Sequence, residues 1–320
     1  MTTPYSRAGL RPEVQALLDA MLAARPADRV IEANAMRAAD PIIAAIWDIG
    51  APAVARDEEI RIPTPAGELR ALVVAPDAPS HRQLPVLLHF HGGGFVIMTP
   101  ECTAKLCKRL AVATGAIVVS LDYSRAPEHP YPAPLDDCVA AYRWLRGHAA
   151  EIGGDPRRIA LSGDSAGGNL AAATALRAQA EGDAPPSAVL LACAWLDLAM
   201  QTRSFAAFGP DDVLIDDAAM TYWRSCYTPL PEQWADAFVS PLRADLGAFP
   251  PSCIVVGGID PLYDDGIRFA EALRNAGRTA ELHEYGGMPH EFLQFPPLDT
   301  MTDAVERMAA FLVRAFQNEA

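Results

Sequence analysis

The alternation of apolar and polar positions divides the chain into distinct regimes. Up to about residue 50, apolar residues recur at helical spacing, as in Val14, Leu17, Leu18, Met21 and Leu22 and again in Ile42, Ile43, Ile46 and Trp47. From about residue 57 the period changes. Ile60 and Ile62 alternate with charges, Leu69 to Val74 reads as a second strand, and Thr64-Pro65-Ala66-Gly67 supplies the turn of a hairpin. Short runs rich in Val, Ile and Leu follow at 86–90, 116–121, 158–161, 189–192, 253–256 and 279–285. Most are apolar on both faces, which suits strands covered from both sides. Helical stretches at 102–114, 135–148, 169–181 and 266–276 lie between them, so the order predicts an α/β fold: an open, mostly parallel sheet of eight strands flanked by helices.

One interval breaks this rhythm. Residues 200–247 carry Phe205, Phe208, Tyr222, Trp223, Tyr227 and Trp234 but no strand signal, and they are too many for an ordinary connection. The expected organisation is therefore an N-terminal helical cap segment at 1–50, a catalytic domain at 51–199 and 236–320, and an inserted helical cap segment at 200–235.

Composition narrows the function classes. The formal charge of −14 argues against nucleic-acid binding, which needs clustered Lys and Arg. No apolar run approaches the length of a membrane span and the first residues lack a secretory apolar core, so a cytoplasmic protein is expected. The six cysteines form no Cys-x-x-Cys pair and no Cys/His zinc pattern, so reduced thiols and no metal are expected.

Candidate chemistry begins where Arg158-Ile159-Ala160-Leu161 runs into Ser162-Gly163-Asp164-Ser165-Ala166-Gly167-Gly168 and then a helical stretch. Glycines two residues either side of Ser165 let a strand and a helix pack closely while the serine projects its hydroxyl. The bare pattern arises by chance in roughly one chain of this length in ten, so the strand-to-helix setting carries the weight. Nucleotide binding is disfavoured, because no Gly-Lys-Ser/Thr follows and no Gly-x-Gly-x-x-Gly opens the first strand-helix unit. Upstream, the strand 86–90 ends in His91-Gly92-Gly93-Gly94-Phe95, whose bare backbone could present N–H groups to an oxyanion together with Ala166. A flexible surface turn is the alternative.

A hydroxyl needs a base. Of the seven histidines, His81 and His148 fall in polar connections, His129 lies in a Pro-rich loop, and His89 and His91 flank the glycine loop, where His91 is expected to brace it. His283 lies within the last strand, whereas His290 lies just beyond it, at the edge from which a loop can reach Ser165. The orienting acid is expected at the end of the preceding strand, where Asp260 precedes Pro261; a helix N-cap is its alternative role. Asp264 and Asp265 read as a solvated first helical turn. Phe95, Tyr222 and Trp223 are candidates to line the acyl or alcohol pocket, although such aromatics also serve as lid core.

These segments, with Asp122-Tyr123-Ser124-Arg125-Ala126-Pro127-Glu128-His129-Pro130-Tyr131-Pro132-Ala133, Ser240-Pro241-Leu242 and Asp260-Pro261-Leu262, span residues 57–295. Together they resemble the hormone-sensitive-lipase family (family IV) of bacterial carboxylesterases. The resemblance implies an α/β-hydrolase fold with a helical cap, hydrolysis of short- to medium-chain carboxylic esters, and no cofactor. It assigns Ser165, Asp260 and His290 as catalytic, with Gly92, Gly93, Gly94 and Ala166 at the oxyanion hole. Two positions depart from it. Ser124 stands where the family usually has Arg, and Pro289-His290-Glu291-Phe292 differs from the commoner sequence around the histidine. A small-molecule ester is the expected partner, and whether the chain forms a homodimer stays open. A binding module that uses the capped pocket without chemistry, and an amidase or lactonase, are the competing readings.

Overall fold

The hairpin and the six apolar runs become eight strands of one sheet, with the strands between residues 84 and 259 largely buried and the first, at an edge, largely exposed. The computed structural model describes residues 9–24, 29–65, 67–78, 83–212, 214–295 and 298–318; Ala66 of the expected turn, His81 and the first eight residues lie outside this set. The strands are β1 (Arg56–Thr64), β2 (Gly67–Ala75), β3 (Leu84–Phe90), β4 (Ile117–Asp122), β5 (Gly154–Asp164), β6 (Val189–Ala192), β7 (Ser252–Ile259) and β8 (Ala280–Pro289). Their spatial order is β1-β2-β4-β3-β5-β6-β7-β8. The β1-β2 and β2-β4 pairs are antiparallel and the rest parallel, so β3, β5, β6, β7 and β8 all end at one edge.

The helices are α1 (Pro12–Ala24), α2 (Ala33–Arg37), α3 (Asp40–Trp47), α4 (Ala104–Thr114), α5 (Ala133–His148), α6 (Ala166–Ala180), α7 (Arg203–Phe208), α8 (Asp217–Tyr227), α9 (Tyr263–Asn275) and α10 (Asp299–Gln317). Strand side chains separate by parity. Leu87, Val118, Ala160, Leu190 and Val255 join a core with Leu106 and Leu110 of α4 and with Met301, Met308 and Leu312 of α10. Val86, Leu88, Val119, Leu161, Leu191 and Val256 join the opposite core with Leu135 of α5, Leu170 of α6 and Phe269 of α9. The period of two along each strand thus places one helical layer on each face. Helix α10 is absent from the sequence reading above, and it closes one of the two cores.

Residues 200–247 contain α7, α8 and short 3-10 turns, with no strand among the described residues. This stretch touches the N-terminal helices. The Ala33 N–H donates to the Tyr222 hydroxyl (2.9 Å), and Arg29 pairs with Asp216. Arg37 of α2 donates to the carbonyls of Val96 and Ala126 (2.7 Å each) and pairs with Glu128, which fastens α2 to the loops after β3 and β4.

Candidate active site

Only Ser165 separates the end of β5 from the start of α6. Its backbone has φ 53° and ψ −121°, a conformation that a residue with a Cβ adopts at a cost. Hydrogen bonds from three sides hold it. The Ser165 N–H donates to the Ala192 carbonyl (2.9 Å), and its carbonyl accepts from the N–H groups of Trp195 (3.0 Å) and Asn169 (3.2 Å). The flanking glycines are required by contact: a Cβ on Gly163 would overlap the Gly167 backbone, and one on Gly167 would overlap the Phe90 carbonyl.

Asp260 follows β7 and His290 follows β8, and both side chains are fully buried. The Leu262 N–H donates to Asp260 Oδ1 (2.7 Å), while Asp260 Oδ2 lies 2.9 Å from His290 Nδ1. The helix N-cap weighed for Asp260 falls instead to Leu262, just before α9; Asp260 Oδ1 holds the turn that precedes the helix, and Oδ2 faces the imidazole. With Nδ1 donating to the carboxylate, Nε2 is the acceptor nitrogen, and it has no hydrogen-bond partner among the described residues. Burial disfavours the imidazolium, but the Asp260 charge outweighs burial and raises the His290 pKa above its ordinary value.

The glycine loop sits over the elbow. Gly93 has φ 103° and a Cβ there would overlap Ile97; Gly94 has φ 59° and packs against the Trp223 ring. The N–H groups of Gly93, Gly94 and Ala166 find no acceptor among the described residues. Gly92 differs from its neighbours: its N–H is committed to Asp164 Oδ2 at 2.9 Å, so it is not available to an oxyanion. His91 braces the loop. Burial pushes its pKa down to about 4, so the ring is neutral, with Nδ1 donating to the Gly92 carbonyl (2.8 Å). The ring stacks on Tyr123 at 4.3 Å, and the Tyr123 hydroxyl donates to the His91 carbonyl (2.7 Å).

Other candidates lie elsewhere. Phe95 is fully buried and stacked on Tyr227 at 3.8 Å, so it packs the interior. Tyr222 is spent on Ala33 of α2, whereas Trp223 lies on the glycine loop itself. His283 is within β8, and His129 and His148 are exposed. Asp265 corrects the reading of a solvated turn: it is buried, and its Oδ2 accepts from the N–H groups of Leu196 (2.9 Å) and Asp197 (3.0 Å). A cleft of about 560 Å³ lies between α1 and the 210–218 segment, with Ile259 and Pro289, the neighbours of Asp260 and His290, on its wall.

Cys193, Asp260 and His290 have ligand atoms within 4.8 Å of one another. They fit a metal poorly. Burial drives the Cys193 thiol well above its ordinary pKa, so it stays protonated, and His290 already donates Nδ1–H to Asp260.

A mostly parallel sheet whose central strand turns through a strained serine into a helix, with a buried His-Asp pair at the same edge, defines a protein of the α/β-hydrolase class. The comparisons with known proteins agree. Residues 87–294 match a family model described as the alpha/beta hydrolase fold. The esterase LipI of Mycobacterium tuberculosis is 37% identical over 242 residues, covering 74% of this chain and 75% of that protein. The carboxylesterase NlhH of the same species is 38% identical over 239 residues, covering 72% and 74%. Among solved structures, a hyperthermophilic esterase from the archaeon Pyrobaculum calidifontis superposes with a TM-score of 0.88 at 32% identity, covering 98% of this chain and 100% of that one. The chain belongs to the α/β-hydrolase-fold family, in its hormone-sensitive-lipase-like branch.

Proposed function

We propose that this chain is a carboxylesterase that works through a Ser165-His290-Asp260 triad and an acyl-enzyme intermediate. The observation that carries the reading is the His290 imidazole, tied at Nδ1 to Asp260 and left without a partner at Nε2, on the sheet edge where Ser165 stands in its strained turn. Nε2 takes the Ser165 proton as Oγ attacks the ester carbonyl; Asp260 stabilises the imidazolium. The N–H groups of Gly93, Gly94 and Ala166 receive the oxyanion, each worth about 3–4 kcal/mol in the transition state. His290 then returns the proton to the leaving alcohol, and water repeats the two steps on the acyl-serine. The printed names of the relatives support ester bonds as the target.

Residues 1–50 and 200–235 act as the cap, an assignment supported by the Ala33-Tyr222 and Arg29-Asp216 contacts between them. Trp223, lying on Gly94, bounds the acyl or alcohol pocket. Short- to medium-chain esters are the substrates, the class that the resemblance to the hormone-sensitive-lipase family implies.

Rates on p-nitrophenyl esters of increasing acyl length, for wild type and Ser165→Ala, test the proposal. Turnover should fall at least about 10³-fold in the variant and, in wild type, peak at short to medium chains. A fluorophosphonate should label wild type stoichiometrically at Ser165. Undiminished activity in Ser165→Ala, or no labelling of wild type, would end the reading.

A further inference from the structure

Beside the pair formed by His290 and Asp260 lies a second carboxyl pair that the proposed cycle does not use. Glu291, the residue after His290, is buried, and so is Asp164, the residue before Ser165. Their side chains meet under the glycine loop: Asp164 Oδ2 and Glu291 Oε1 lie 2.5 Å and 3.0 Å from the point where a Cβ on Gly92 would stand. The two carboxyl groups thus lie against the same face of Gly92, and each feels the other's charge. Asp164 also accepts from the Gly92 N–H (2.9 Å), and its Oδ1 lies 3.2 Å from His89 Nε2. Glu291 Oε1 is 3.5 Å from His290 Nε2 and has no hydrogen-bond donor among the described residues.

Two ionised carboxylates are acceptors only, so a bond between them requires a proton on one. Asp164 is the better anion, since it has the Gly92 N–H and His89 to stabilise charge, whereas Glu291 Oε1 has no donor among the described residues. The directions agree. Burial, reinforced by the Asp164 charge, drives the Glu291 pKa well above its ordinary range; Asp164 is lowered, its contact with His89 overcoming burial. The other titratable groups around Glu291 are His290, Asp260 and Cys193 after β6; Lys105 of α4 grips the Gln294 carbonyl three residues on. The backbone supplies a further sign that this side chain is held for a purpose. Glu291 has φ 55° and ψ 21°, a left-handed conformation in which a long side chain is kept at a cost.

We propose that Glu291 is a positioning residue: its carboxylic acid donates to Asp164 and so clips the His290 loop to the nucleophile elbow and, through Gly92, to the oxyanion loop. A neutral acid in this place also spares the base. An ionised Glu291 beside Nε2 would draw the imidazole away from the serine hydroxyl, whereas the acid gives its proton to Asp164 and leaves Nε2 free. Three segments distant in sequence, ending in Gly92, Ser165 and His290, are then held by one shared proton. This deepens the esterase reading and, for its kinetic part, rests on it.

The test compares wild type, Glu291→Gln and Glu291→Ala. Gln keeps a donor to Asp164 and should hold kcat within about threefold of wild type, while Ala should lower kcat about 10- to 100-fold with KM little changed, the signature of misplaced groups rather than lost substrate contact. Equal kcat in all three, or a Gln variant as impaired as Ala, would overturn the proposal. An infrared difference spectrum, wild type minus Glu291→Gln at neutral pH, should contain the C=O stretch of a protonated carboxylic acid. Its absence would overturn the proposal whether or not Glu291→Ala folds. Should wild type hydrolyse no ester while that band is present, the shared proton stands and the esterase reading alone fails.

Discussion

Each member of the proposed triad owes its place to a different physical device. Ser165 is fixed by backbone contacts that no side chain could share, His290 by one carboxylate, and Asp260 by the Leu262 N–H and His290 together. The Asp260 charge raises the His290 pKa despite burial, and catalysis needs His290 neutral, so the acid limb of kcat/KM should lie above the ordinary imidazole value of about 6.5. Asp260→Asn should lower kcat by about 10⁴-fold and move the residual acid limb to lower pH, measured as a pH-rate profile on a short ester. These three residues were legible because each directly follows a strand's carboxyl end. Glu291 was not. Its partner Asp164 is remote in sequence, and a glutamate in a glycine-rich loop reads as exposed until the sheet brings β5 and β8 to one edge. Asp265 misled for a related reason: first-turn acids are usually solvated, and only the fold shows the Leu196 and Asp197 N–H groups above it.

Among the elements, all eight strands were foreseen, six from apolar runs and two from the hairpin, but their ends were not. Strand β8 continues past Tyr285 through two glycines to Pro289, which delivers His290 directly from the sheet rather than from a long loop. Helix α10 was not foreseen, although Met301, Val305, Met308 and Leu312 form an apolar stripe at helical spacing that packs on one face of the sheet. Helix α4 contributes more than packing. Its buried Lys105 donates to the carbonyls of Gln294 (2.9 Å) and Phe295 (3.0 Å), just beyond His290, and burial lowers its pKa to about 8. Lys105→Met keeps the stem but leaves two buried carbonyls without a donor. It should cost about 1–3 kcal/mol in urea unfolding, with kcat falling as the His290 loop loosens.

Across the whole molecule the parallel character of the sheet was readable, but the exchange of β3 and β4 in spatial order was not, because crossovers leave no mark on hydrophobic period. Stability should depend on pH through Asp265. Burial raises its pKa to about 7, well above its unfolded value, so the folded state keeps a proton that the unfolded chain has already lost. Stability from this group is complete at low pH and drains away as pH climbs through about 7. Asp265→Asn retains an acceptor for both N–H groups and carries no charge, so the gap in melting temperature, variant minus wild type, should widen in favour of the variant between pH 5 and 8. A constant gap would count against the assignment.

The grip of α2 on distant segments bears on how the chain comes to life. Ala33 and Arg37 are synthesised long before Val96, Ala126, Glu128 and Tyr222, the residues they fasten to. On the ribosome these early helices have nothing to dock against until most of the sheet exists. The proposed cap is therefore completed late from the earliest residues, and a nascent chain interrupted before residue 222 would lack the Tyr222 hydroxyl that the Ala33 N–H uses.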